Sequence, residues 1–124
     1  MKLRVILLPL ATISLLSGCA TAATPGMTEA ESCKAITASI AEMMTTFEDQ
    51  TASEGAVRLA FSSASGELAS IADSSEGDLA DWATELSLLS GNLAQAIADG
   101  DGDATVLNVN ELFASFANES KYCG

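Results

Sequence analysis

The chain has 124 residues, of which 17 are Asp or Glu, five are Lys or Arg and none is His, for a formal net charge of −12. A surface of that sign repels nucleic-acid phosphates and anionic lipid headgroups, which excludes nucleic acid as a partner and favours solvation or a cationic ligand. Without histidine the chain cannot build a Ser-His-Asp or Cys-His nucleophile, and it lacks the usual proton shuttle near neutral pH and the commonest nitrogen metal ligand.

Lys2 and Arg4 open the chain with positive charge, and Val5 to Leu16 follow as an apolar run. That run is too short to cross a bilayer, which takes about 20 apolar residues, and Pro9 in its middle opposes a permanent helix. The pattern is that of an export leader. Its last residues, Leu16-Ser17-Gly18-Cys19, resemble the lipobox of bacterial lipoproteins. The resemblance implies removal of a signal peptide over 1–18 and attachment of a diacylglyceryl group to the Cys19 thiol. It also implies an extracytoplasmic protein held in the outer leaflet of the cell membrane, or in the outer membrane of a Gram-negative host. Two acyl chains anchor stably, whereas one does so only marginally. A plain secretory signal, with Ala20 to Ala23 as an A-x-A-like cleavage site, is the alternative.

After cleavage, Cys19 to Gly124 would retain all 17 acids but only Lys34, Arg58 and Lys121 of the bases, a net charge of −14. Residues 19–27 are small and broken by Pro25 and Gly26, so they read as a lipidated flexible tether. Nine flexible residues span roughly 17 Å root-mean-square, which keeps the folded part, 28–124, close to the membrane.

Thr28 and Glu31 have capping-box spacing, and Cys33, Ile36, Ile40, Met43 and Phe47 recur at helical intervals behind them. They predict a first helix over 29–49. Thr51 and Glu54 repeat the capping spacing ahead of a second apolar stripe, Val57, Ala60, Phe61, Ala64, Leu68 and Ile71. Gly66 among serines either breaks this helix near Ser62 to Gly66 or lets a neighbouring helix approach closely, the second being preferred. Ser75 and Asp78 open a third helix, in which Leu79, Trp82, Leu86, Leu89, Leu93 and Ile97 form the clearest stripe and Trp82 reads as a core anchor. A fourth segment, 104–121, turns Val109, Leu112, Phe113 and Phe116 inward, with a β-branched start that leaves room for a short extended piece.

Between the third and fourth segments, Asp99, Asp101 and Asp103 alternate like positions 1, 3 and 5 of a calcium loop. The match then fails, because Ala104 stands where the turn needs Gly and Asn110 where a bidentate Glu belongs. An acidic loop with Asp103 capping the fourth helix is preferred over a weak Ca²⁺ site. The glycines form no phosphate-binding pattern, so no enzyme activity and no cofactor are expected.

Once Cys19 carries lipid, Cys33 and Cys123 remain as an even pair, which outside the cytoplasm reads as a disulfide. Helices of about 20 residues are about 30 Å long, whereas bonded cysteines need Cα atoms within about 7 Å. The start of the first helix and the end of the last share one end of an up-and-down bundle only when the helix number is even. The stripes and the cysteines therefore agree on an all-α, antiparallel four-helix bundle. The lipobox, Ala- and Ser-rich helices, early cysteine and closing Lys121-Tyr122-Cys123-Gly124 are together similar to small helical lipoproteins of unknown function from high-GC Gram-positive bacteria. That resemblance carries no functional residues, and the leading expectation is a non-catalytic binding or structural module of the cell envelope, tethered to the membrane through its lipid, with an envelope protein or cationic ligand as partner. The alternative is a small-ligand or divalent-cation binder using the bundle interior or the loop 99–103.

Overall fold

Thr28 and Glu31 close a reciprocal box at the head of the first helix. The Thr28 N–H donates to Glu31 Oε1 at 2.9 Å, and the Glu31 N–H donates to Thr28 Oγ1 at 3.1 Å. The computed structural model describes residues 26–124. The expected signal peptide over 1–18, Cys19 and most of the expected tether lie outside the described residues. Helix α1 spans Glu29–Glu48, α2 Glu54–Asp73, α3 Gly77–Asp99 and α4 Gly102–Phe116, with a short α5 at Glu119–Cys123. No strand occurs among the described residues.

The expected stripes are the buried faces. Ile36, Ile40 and Met43 of α1, Phe61, Ala64, Leu68 and Ile71 of α2, Leu79, Trp82, Leu86 and Leu93 of α3, and Leu112 of α4 form one core. Cross-links fix the directions of the helices. Ser32 near the start of α1 meets Ser75 just past the end of α2, and farther along Ser39 donates to Glu67, so α1 and α2 run in opposite senses. Trp82, early in α3, donates from Nε1 to the Ser115 carbonyl late in α4 at 3.0 Å, which reverses that pair too. Phe47 at the end of α1 sets its ring edge-on to Phe113 of α4 at 5.4 Å, while Cys33 at its start reaches Cys123, closing the ring of helices.

Helix α2 runs unbroken through Ser62 to Gly66; Gly66 is exposed with open space around it, and the close approach is made by Ser65. Ser65 Oγ donates to the Ser87 carbonyl and Ser87 Oγ to the Ser65 carbonyl, both at 2.8 Å. A side chain at Gly91 would begin 3.0 Å from Ser65 Oγ, so glycine there permits the two helices to meet at this spacing.

Several helix ends differ from their sequence expectation. Ser53, not Thr51, caps α2 by accepting from the Ala56 N–H at 3.0 Å, because Thr51 is engaged by Asp49 instead. Ser75 does not cap α3; its hydroxyl donates back to the Ile71 carbonyl at 2.6 Å. The fourth helix starts at Gly102 with Asp101 as its cap, and the β-branched stretch after it is helical, Thr105 Oγ1 donating to the Asp101 carbonyl at 2.8 Å. It also ends sooner than expected. The Asn118 N–H turns to the Ser115 carbonyl at 3.0 Å, a tightened turn that separates α4 from α5.

Candidate functional site

An up-and-down bundle gathers the heads of α1 and α3 and the tails of α2 and α4–α5 at one end. There Cys33 and Cys123 are bonded, with Cα atoms 5.6 Å apart across 90 residues of sequence. The expected bridge between the first and last helices is present, and both half-cystines are half-exposed.

The same end carries a cleft of about 640 Å³. Met27, Glu29 and Ser32 come from the entry to α1, Glu76, Asp78 and Leu79 from the entry to α3, and Lys121 and Tyr122 from α5. Its floor is fixed by hydroxyls. Ser75 spends its one proton on the Ile71 carbonyl, so Ser32, buried and 2.6 Å away, donates to Ser75. The entering chain is fixed as well. The Met27 N–H donates to the Ser74 carbonyl at 2.7 Å, and any side chain on Gly26 would collide with that same carbonyl. Gly26 and Met27, the last two residues of the stretch read as tether, are therefore held to the body, with Met27 half-buried against the core. At the head of α3, Gly77 holds φ at +63°, a conformation that favours glycine.

Behind the cleft wall, Tyr122 stacks on Trp82 with ring centroids 5.4 Å apart. Trp82 is only 2% exposed and has its indole N–H bonded, as a core anchor requires. Glu29, Glu76 and Asp78 put negative charge on the cleft and Lys121 one positive charge, so it can hold small polar or cationic groups.

At the other end of the bundle, Asp99, Asp101 and Asp103 flank the junction between α3 and α4. Asp99 accepts from Gln95 Nε2 at 2.9 Å, and Asp101 accepts from the Ala104 N–H at 3.0 Å as the α4 cap. The helix begins at Gly102, and Asp103 falls inside its first turn. Among the described residues no group of three or more Asp, Glu or Cys side chains is placed to hold a metal. Asp49, in the α1–α2 turn, has its carboxyl pushed below the ordinary range by the Thr51 hydroxyl and, secondarily, the Thr51 N–H.

No protein-family model, curated protein or solved structure matches the chain. The cleft was not visible as a motif because its walls come from three distant segments. The parity argument that pairs Cys33 with Cys123 also brings Glu29, Glu76 and Lys121 to one end, and that is the signal from which it could have been found.

Proposed function

We propose that the chain is a membrane-anchored extracytoplasmic lipoprotein, and that its acidic helical bundle is a non-catalytic binding or structural module of the cell envelope. The observation that carries this reading is the lipobox-like Leu16-Ser17-Gly18-Cys19 after a basic start and an apolar run, and Met27, eight residues on, is bonded to Ser74 of the bundle. Seven free residues span roughly 15 Å, so an acylated Cys19 would hold the disulfide end towards the bilayer and leave the end with Asp99 to Asp103 pointing away. The remaining charge, 17 acids against Lys34, Arg58 and Lys121, keeps the bundle off anionic headgroups and suits a cationic surface on an envelope partner. No described helix is long and apolar enough to cross a membrane, so the reading relies on the lipid for attachment.

Detergent phase partition of cells expressing the full chain tests it. The protein is expected in the detergent phase and its Cys19→Ala form in the aqueous phase; wild-type protein in the aqueous phase would reject the anchor. A second reading, a lipoprotein that binds a small ligand, is favoured by the cleft beside Lys121 and Tyr122 rather than by the acidic loop. A panel of small polyamines and amino acids would then shift the NMR signals of Tyr122 and Lys121, whereas an unmoved spectrum would remove that reading.

A further inference from the structure

Helix α5 is five residues long, too short to be helical alone, and none of its residues is buried. The fully buried large side chains, Phe61, Ile36, Met43, Leu68, Leu86, Leu93 and Leu112, all belong to α1–α4. The centre of the core is thus built from α1–α4, and α5 adds only the partly buried Tyr122 and Cys123 at its edge. Its non-covalent ties to the body are few. Tyr122 stacks on Trp82, and Thr37 Oγ1 donates to Glu119 at 2.9 Å in an exposed position. The Cys33 sulfur also lies 3.7 Å from the Tyr122 carbonyl, a contact and not a hydrogen bond, since a disulfide sulfur carries no proton. What holds the segment is the bond to Cys33. It holds two things in place, the Tyr122 ring over Trp82 and the Lys121–Tyr122 wall of the cleft.

We propose that the Cys33–Cys123 disulfide is a redox latch on the cleft, opened by a dithiol reductant. One thiolate of the reductant attacks a half-cystine through a mixed disulfide, and its second thiol resolves that intermediate. The dithiol leaves as its own disulfide, and Cys33 and Cys123 receive its two electrons and two protons. Both half-cystines are half-buried and neither is fully enclosed, so the exchange requires the reductant to approach at the edge of the core. Once it is open, α5 detaches from α1, Tyr122 leaves Trp82, and the cleft loses one wall while the four-helix body stays folded. The proposal rests on the small-ligand reading only for what the cleft would hold; the release of α5 does not depend on it.

Trp82 is the one tryptophan of the chain, so its fluorescence reports this wall directly. The processed protein is treated with dithiothreitol well below its melting temperature and followed by thiol titration, far-ultraviolet circular dichroism and acrylamide quenching. The expected result is two new thiols, nearly unchanged helicity and a several-fold rise in quenching. Cys123→Ser should show the raised quenching with or without dithiothreitol. Unchanged quenching with two thiols titrated would overturn the proposal, as would a bridge that resists the dithiol. Collapse of helicity on reduction would also overturn it, making the bridge a staple of the whole bundle and not a latch on one segment. None of these readouts involves a ligand, so the latch can fail while the cleft reading stands, and the reverse.

Discussion

Asp49 accepts from both the hydroxyl and the N–H of Thr51 through one carboxylate oxygen, and these bonds favour its charged form. A carboxyl whose folded value is depressed contributes stability above its unfolded value, and that contribution is lost as pH falls through the folded one. Replacing Thr51 with Val removes the larger of the two causes. An NMR titration of the Asp49 carboxyl should then move up towards the ordinary range without reaching it, because the backbone bond remains. At Gly91 the constraint is steric. The reciprocal Ser65 and Ser87 bonds hold α2 and α3 close, and a first side-chain carbon would stand 3.0 Å from Ser65 Oγ. Gly91→Leu should lower unfolding stability by about 1–3 kcal/mol, the usual cost of overpacking, in urea titration. Equal stability of the two forms would mean that the helices are farther apart.

At the scale of elements, the helix bodies and the capping box that opens α1 were legible, while most of the other helix ends were not. Apolar residues recurring every three or four positions leave one face for each helix, so Phe61 to Ile71 and Leu79 to Leu93 were readable as core. Ends depend on which of several adjacent Ser, Thr or Asp side chains reaches a free N–H, and neighbours compete. Thr51 lost to Ser53 because Asp49 already held it, and Asp103 lost to Asp101 because the helix started earlier. The turn at Ala117–Asn118 has no breaker residue, and nothing in the local sequence marks it. The reassigned cap is testable. Asp101→Ala should cost about 1 kcal/mol, as lost caps do, while Asp103→Ala removes only a charge near the helix start, worth about 0.3–1 kcal/mol when exposed. Equal losses in both variants would restore Asp103 as the cap.

At the scale of the whole molecule, one covalent bond closes a chain of helices whose neighbours otherwise meet only through side chains. For a loop of about 90 residues the chain-entropy model assigns about 4–5 kcal/mol to the bridge, with measured values commonly lower, against a typical total of about 5–15 kcal/mol. Cys33→Ser should therefore melt well below the oxidised protein, and equal melting would mean that the bridge constrains nothing in the unfolded chain. The same bond sits at the end where the chain enters, beside Met27 and the cleft. Bridge and cleft thus share one pole of an acidic bundle, and the proposed membrane attachment at that pole requires a lipid on residue 19. Intact mass spectrometry of protein extracted from membranes tests that directly. The account predicts a chain beginning at Cys19 and carrying a diacylglyceryl mass, whereas a chain that still begins at Met1, or one trimmed among Ala20 to Ala23 without lipid, would contradict it.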